Sequence, residues 1–177
     1  MKFQSFGLAA VVLGLAVAAS GASAHMVLAQ GEAASGSYYK AVFGSGHGCQ
    51  GSPTIRVRIQ IPDGVTSVKP MQKPGWTLTT VKKTYNPPIV DHGRTITEGV
   101  GEVIWSGGKQ LDEHFDEYVV QVKLPEKAAG TVIYFPAIQE CETGVHRWIE
   151  VPVAGQNRRD LKEPAPQVTL VAPAPRH

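Results

Sequence analysis

The sequence predicts an all-β fold: an antiparallel β-sandwich of the immunoglobulin or fibronectin-III type, preceded by a cleaved signal peptide. Three observations carry this. Apolar and polar residues alternate with period two in several segments, turn residues recur between those segments, and no stretch places apolar residues at helical spacing.

The leader comes first. Residues 1–24 hold one early charge, Lys2, an apolar run from Gly7 to Ala19, and the small-residue stretch "SGASA". That is the layout of a signal peptide with its cut after Ala24. The apolar run falls short of the roughly 20 residues that cross a bilayer, so the mature chain is expected to have no transmembrane segment and to be periplasmic or secreted. Strands then follow. "YYKAVFGS" (38–45) is an early one, and "IRVRIQIP" (55–62) alternates Ile55, Val57, Ile59 and Ile61 with Arg56, Arg58 and Gln60. "WTLTTVKKTY" (76–85), "GEVIWSGG" (101–108) and "EYVVQVKLP" (117–125) continue the pattern. "TVIYFPAIQEC" (131–141) and "VHRWIEVP" (145–152) pair across "ETG". Turns are expected at "PDG", "KPG", "NPP" (86–88), "GG" (107–108) and "EKAAG". The sandwich is thus assigned to 25–153. Residues 154–177 read as a Pro/Ala-rich extension, loose rather than folded in, although "QVTLV" (167–171) has the composition of an edge strand.

Charge is nearly balanced: 17 Lys and Arg, of which Lys2 leaves with the leader, stand against 15 Asp and Glu. A nucleic-acid partner, which needs a clustered basic surface, is not expected. The chain has two cysteines, Cys49 and Cys141, and export would put them in an oxidising space where one disulfide is the simple inference.

Cleavage after Ala24 makes His25 the first residue. Its α-amine and ring Nδ1 then belong to one residue and can chelate one ion. Nitrogen donors of this kind suit Cu(II), which heads the divalent affinity series. An α-amine pKa near 7.7–8.0 lets the metal displace the amine proton at modest cost near neutrality.

"AHMVLAQGEAASGSYYKAVF", "HGCQGSPTIRVRIQIPDGV", "KPGWTL" and "HRWIEVP" together resemble the YcnI-like copper-binding proteins, secreted or membrane-tethered β-sandwich domains often associated with copper-handling genes. The resemblance covers residues 25–153. It implies a histidine brace on His25, binding Cu(II) through amine and Nδ1, with Trp148 close to the metal. It also implies a carboxylate ligand, supplied in the family by a glutamate in the loop before a Pro-Thr pair. Here that loop reads "GSGHGCQGSPT" and holds no acid. His47 is read as its replacement, adding a third nitrogen. Cys49 is either a further ligand or half of a disulfide with Cys141, and the two roles exclude each other. The disulfide is favoured because it would hold the His47 loop against the strand bearing Trp148.

On that strand His146 and Glu150 alternate with Trp148 and share its face, which makes them reserve ligands. Trp76 and Trp105 read as core. "DEHFDE" (112–117) reads as a solvated loop, and Glu32, Glu98 and Glu102 are weak candidates for the metal's surroundings. The function expected is therefore a non-enzymatic, exported Cu(II) chaperone or buffer serving a copper importer or copper-assembly protein. The alternatives are a copper-dependent oxidative enzyme of the polysaccharide monooxygenase kind, for which no flat aromatic face is visible, and a metal-free structural sandwich.

Overall fold

The computed structural model describes residues 25–91 and 93–173; the expected leader lies outside the described residues. The order is β1 (Val27–Leu28), β2 (Glu32–Ala34), β3 (Tyr38–Ser45), β4 (Thr54–Gln60), β5 (Thr66–Pro70), β6 (Thr77–Asp91), β7 (Arg94–Gln110), β8 (Asp116–Lys123), β9 (Val132–Tyr134), β10 (Ala137–Cys141), β11 (Val145–Trp148) and β12 (Gln167–Val171), with one 3₁₀ turn at Arg158–Asp160. Among the described residues no helix is long and apolar enough to cross a membrane.

Three sheets form. A four-stranded sheet runs β1-β3-β8-β5, a five-stranded sheet β11-β10-β4-β7-β6, and a three-stranded sheet β2-β12-β9. All pairings are antiparallel except that of β12 with β2. The alternation in the sequence decides what faces in. In β4, Val57 and Ile59 are buried while Arg56 and Gln60 are exposed. β3 contributes Tyr39, Ala41 and Phe43, and β8 contributes Tyr118, Val120 and Val122. Side chains from the two larger sheets merge into one core around Trp105 and Tyr118, both fully buried. Two such faces closing on each other make the expected sandwich. Trp105 donates to the Met71 carbonyl at 3.1 Å, and Trp76 meets Tyr118 edge-on at 5.5 Å, so both tryptophans serve packing.

Three expectations are corrected. "NPP" is no turn: β6 runs through Asn86–Pro88, its register against β7 shifting between Thr84 and Ile89 where the prolines cannot donate to the ladder. The glycine pair 107–108 also stays within a strand, β7. The C-terminal stretch is not a loose extension. Residues 163–165 run beside Glu150, with Glu150 N–H donating to the Glu163 carbonyl at 3.1 Å and Ala165 N–H to the Glu150 carbonyl at 2.9 Å. β12 then becomes the middle strand of its sheet, with Val168 and Leu170 fully buried. Two alternate apolar residues with a core slot to fill outweighed the flanking prolines.

Candidate metal centre

The site is built on the β10–β11 hairpin. Its register sets Ala137 opposite Trp148 and Gln139 opposite His146. Directly opposed residues and those two apart share a face, so Gln139, His146 and Trp148 project together. Gln139 is the hub. Only 1% exposed, its Oε1 accepts from Trp148 Nε1–H at 3.0 Å. Its Nε2 donates to the His47 carbonyl at 2.6 Å and to Thr54 Oγ1 at 2.7 Å, and lies 3.2 Å from Ser45 Oγ. A buried amide needs both donor and acceptor roles filled, and these neighbours fill them.

The loop carrying His47 is fastened at several points. Cys49 and Cys141 form a disulfide, which resolves the choice at Cys49 and removes both thiols as ligands. Cys49 and Ser52 exchange backbone hydrogen bonds of 2.9 and 3.0 Å around Gln50 and Gly51, both at positive φ (53° and 88°); two such residues make a tight hairpin turn. Asp112 Oδ1 accepts from Gly48 N–H at 3.0 Å and Gly51 N–H at 3.2 Å. A Cβ on Gly48 would stand 2.0 Å from the Ser52 carbonyl oxygen, so this turn closes only on glycine.

The rings form a line. The half-buried His25 meets Trp148 edge-on, centroids 5.7 Å apart. His146 stacks on Trp148 at 4.8 Å and 27°. His47 stands edge-on to His146 at 5.8 Å. Trp148 is 3% exposed. Since its N–H is committed to Gln139, the indole is a fixed wall and not a ligand. A surface cleft of about 590 Å³ lies over the His47, His146 and Trp148 end of the line, bordered also by Asp112, Glu150 and Glu163. Among the described residues no three His, Cys, Asp or Glu side chains converge on one point.

The structure therefore places every candidate. His25 lies against Trp148, as the resemblance implies. His47 and His146 are ring neighbours, and Glu150 borders the same cleft, its Oε2 accepting from Glu163 N–H at 2.7 Å. Glu32, Glu98 and Glu102 lie elsewhere: Glu98 pairs with Lys82 and Glu102 with Arg58 on the five-stranded sheet, and Glu32 is in β2. Gln139 and Glu163 were missed by sequence reasoning, and Asp112, in "DEHFDE", was read only as part of a solvated loop. Glu163 Oε1 accepts from His146 Nδ1 at 2.7 Å and its Oε2 from Arg147 N–H at 3.0 Å. No local motif marks Gln139 or Glu163.

Residues 25–170 match a protein family described as a domain of unknown function, DUF1775. The chain belongs to this family. DUF1775 includes the YcnI-like domains, and the match begins at His25 and takes in all of β12 but Val171. No curated protein matches the chain. Among solved structures the DUF1775 domain is similar to the crystal structure of an uncharacterized protein from Nocardia farcinica that reveals an immunoglobulin-like fold. The TM-score is 0.61 at 23% identity, over 83% of this chain and 98% of that one. This likeness bears on the fold alone, and it agrees with the sandwich.

The donor set fits cupric ion in kind. The nitrogens available are imidazoles and, at His25, a potential α-amine, while sulfur is withdrawn into the disulfide. Such N-rich sets suit Cu(II).

Proposed function

We propose that this DUF1775 domain is an exported Cu(II)-binding protein, a non-enzymatic chaperone or buffer that works in the periplasm or outside the cell. The observation that carries the reading is the seat of His25, its ring edge against the buried, immobilised Trp148 at the first residue of the family match. Removal of residues 1–24 frees the α-amine. The amine and Nδ1 of His25 then chelate the ion, and copper supplies a Lewis-acidic centre that prefers such nitrogens. Met26, 1% exposed, is inserted in the core one residue on, and Val27 and Leu28 pair with Gly44 and Phe43 of β3. The chelating residue is thus held by its own chain and not by a flexible arm. Trp148 limits water on one side of the ion. A copper importer or copper-assembly protein takes the ion from the open side.

The test uses the mature protein beginning at His25, and a version carrying one extra residue before it, each titrated with Cu(II) and followed by EPR. The mature form should show an amine-plus-imidazole signal that the extended form lacks. Equal signals from both, or mass spectrometry of the exported protein giving another first residue, would overturn the reading.

A further inference from the structure

His47 and His146 form a pair that the His25 chelate does not need. Each ring commits Nδ1 as donor. His47 Nδ1 faces the Gly48 carbonyl at 2.5 Å and His146 Nδ1 faces Glu163 Oε1 at 2.7 Å. Carbonyl and carboxylate oxygens only accept, so the neutral form of each ring carries its proton on Nδ1 and keeps its lone pair on Nε2, where a metal would bind. Their ring centres are also close enough to share one ion. A metal–nitrogen bond of about 2.0 Å plus about 1.1 Å from nitrogen to ring centre puts two imidazoles on one ion up to about 6.2 Å apart, centre to centre. The observed 5.8 Å lies within that limit.

The number of donors then selects the ion. Each acidic group bordering the cleft already holds a hydrogen bond elsewhere: Asp112 through Oδ1 with Gly48 and Gly51 N–H, Glu163 through both oxygens with His146 and Arg147, and Glu150 through Oε2 with Glu163 N–H. Among the described residues no third donor joins the two imidazoles. Zn(II) is almost always four-coordinate in protein sites. Cu(I), a closed-shell d¹⁰ ion, is satisfied by two nitrogens. Support behind the ligands matches this. Glu163 orients His146 as outer-shell carboxylates orient metal-bound histidines, Trp148 stacks on the same ring, and the disulfide and Asp112 hold the His47 loop.

We propose that His47 and His146 form a second, two-coordinate Cu(I) site beside the His25 chelate, independent of leader cleavage. Cu(I) alone, supplied anaerobically, is competed against the chromophoric chelator bicinchoninate. The protein used is the version with one residue added before His25, in which the chelate is blocked. One equivalent should be withdrawn from the chelator, and X-ray absorption should show two nitrogen neighbours. H47Q and H146Q should each abolish the competition, whereas H114A, on an exposed ring outside the cleft, should leave it unchanged. E163A keeps both ligands and should weaken binding about 10- to 100-fold, the usual effect of losing an outer-shell partner. No withdrawal by the blocked protein, withdrawal that survives H47Q and H146Q in folded protein, or an equal affinity for Zn(II) would overturn the proposal. None of these results bears on the His25 chelate, which is read separately with Cu(II).

Discussion

Replacing Gln139 by leucine tests whether the hub beneath the site is energetically real. Leucine conserves most of the volume and removes every polar role. The Trp148 N–H loses its acceptor and the His47 carbonyl its 2.6 Å donor, both where Gln139 itself is 1% exposed. The two hydroxyls are less affected. Ser45 Oγ already donates to the His47 carbonyl at 3.2 Å, and Thr54 Oγ1 lies 3.8 Å from Cys141 Sγ, so each keeps a neighbour. Two groups are stranded, at about 1–3 kcal/mol apiece, and partial rescue of the His47 carbonyl by Ser45 puts the total near 3 kcal/mol. With a urea m-value of about 2 kcal/mol/M, the midpoint should fall by about 1.5 M. Urea unfolding followed by tryptophan fluorescence and far-UV circular dichroism, disulfide intact, measures it. A double-mutant cycle with W148F isolates the indole bond, whose coupling should be about 1 kcal/mol. A loss below about 1 kcal/mol for Q139L, or zero coupling, would refute the account of Gln139 as a buried, fully used amide.

Three further outcomes are expected. The double variant C49A/C141A opens a loop spanning 92 residues and should lose about 4 kcal/mol on the chain-entropy model, measured by thermal or urea unfolding, with its Cu(I) affinity falling as the His47 loop loosens. L170A should cost about 2–5 kcal/mol in the same measurement, because Leu170 is fully buried in the middle strand of its sheet; a loose tail would show no effect. Burial pushes the Tyr39 hydroxyl up to about 12, and burial with the Asp116 charge pushes Tyr118 higher still. The unfolded chain ionises both near 10. Between those limits the native state holds more protons than the unfolded state, so stability is complete below pH 10 and is lost as pH rises toward 12. Its slope should be about 1.4 kcal/mol per pH unit for each tyrosine. The part of the 295 nm absorbance that Y39F and Y118F remove should therefore rise only together with unfolding; a difference from these variants in folded protein near pH 10 would contradict the burial of the two hydroxyls.

What could be read from the chain and what could not divide along a physical line. Period-two alternation is a property of consecutive residues, so β3 could be read to the residue and β4 to within two. The boundaries failed where a local breaker was overruled by distant pairing: prolines 87 and 88 sit inside β6 because β7 opposes it on both sides of the irregularity, and β12 is strand because β2 and β9 leave a gap for it. The same line divides the site. His25, His47, His146 and Trp148 stand out by residue type, and alternation alone put His146 and Trp148 on one face. Glu163, Asp112 and Gln139 matter only through partners 17, 64 and 92 residues away, and no sequence period relates such positions. The consequence is functional. Read by type and resemblance, His25 and His47 belong to one copper site beside Trp148, with His146 and Glu150 in reserve. Once the long-range partners are in place, Trp148 stands against His25 on one side, and a carboxylate and a carbonyl face Nδ1 of His146 and His47. On the two proposals above, groups that sequence pools are sorted into a chelate that depends on proteolysis and a pair that does not.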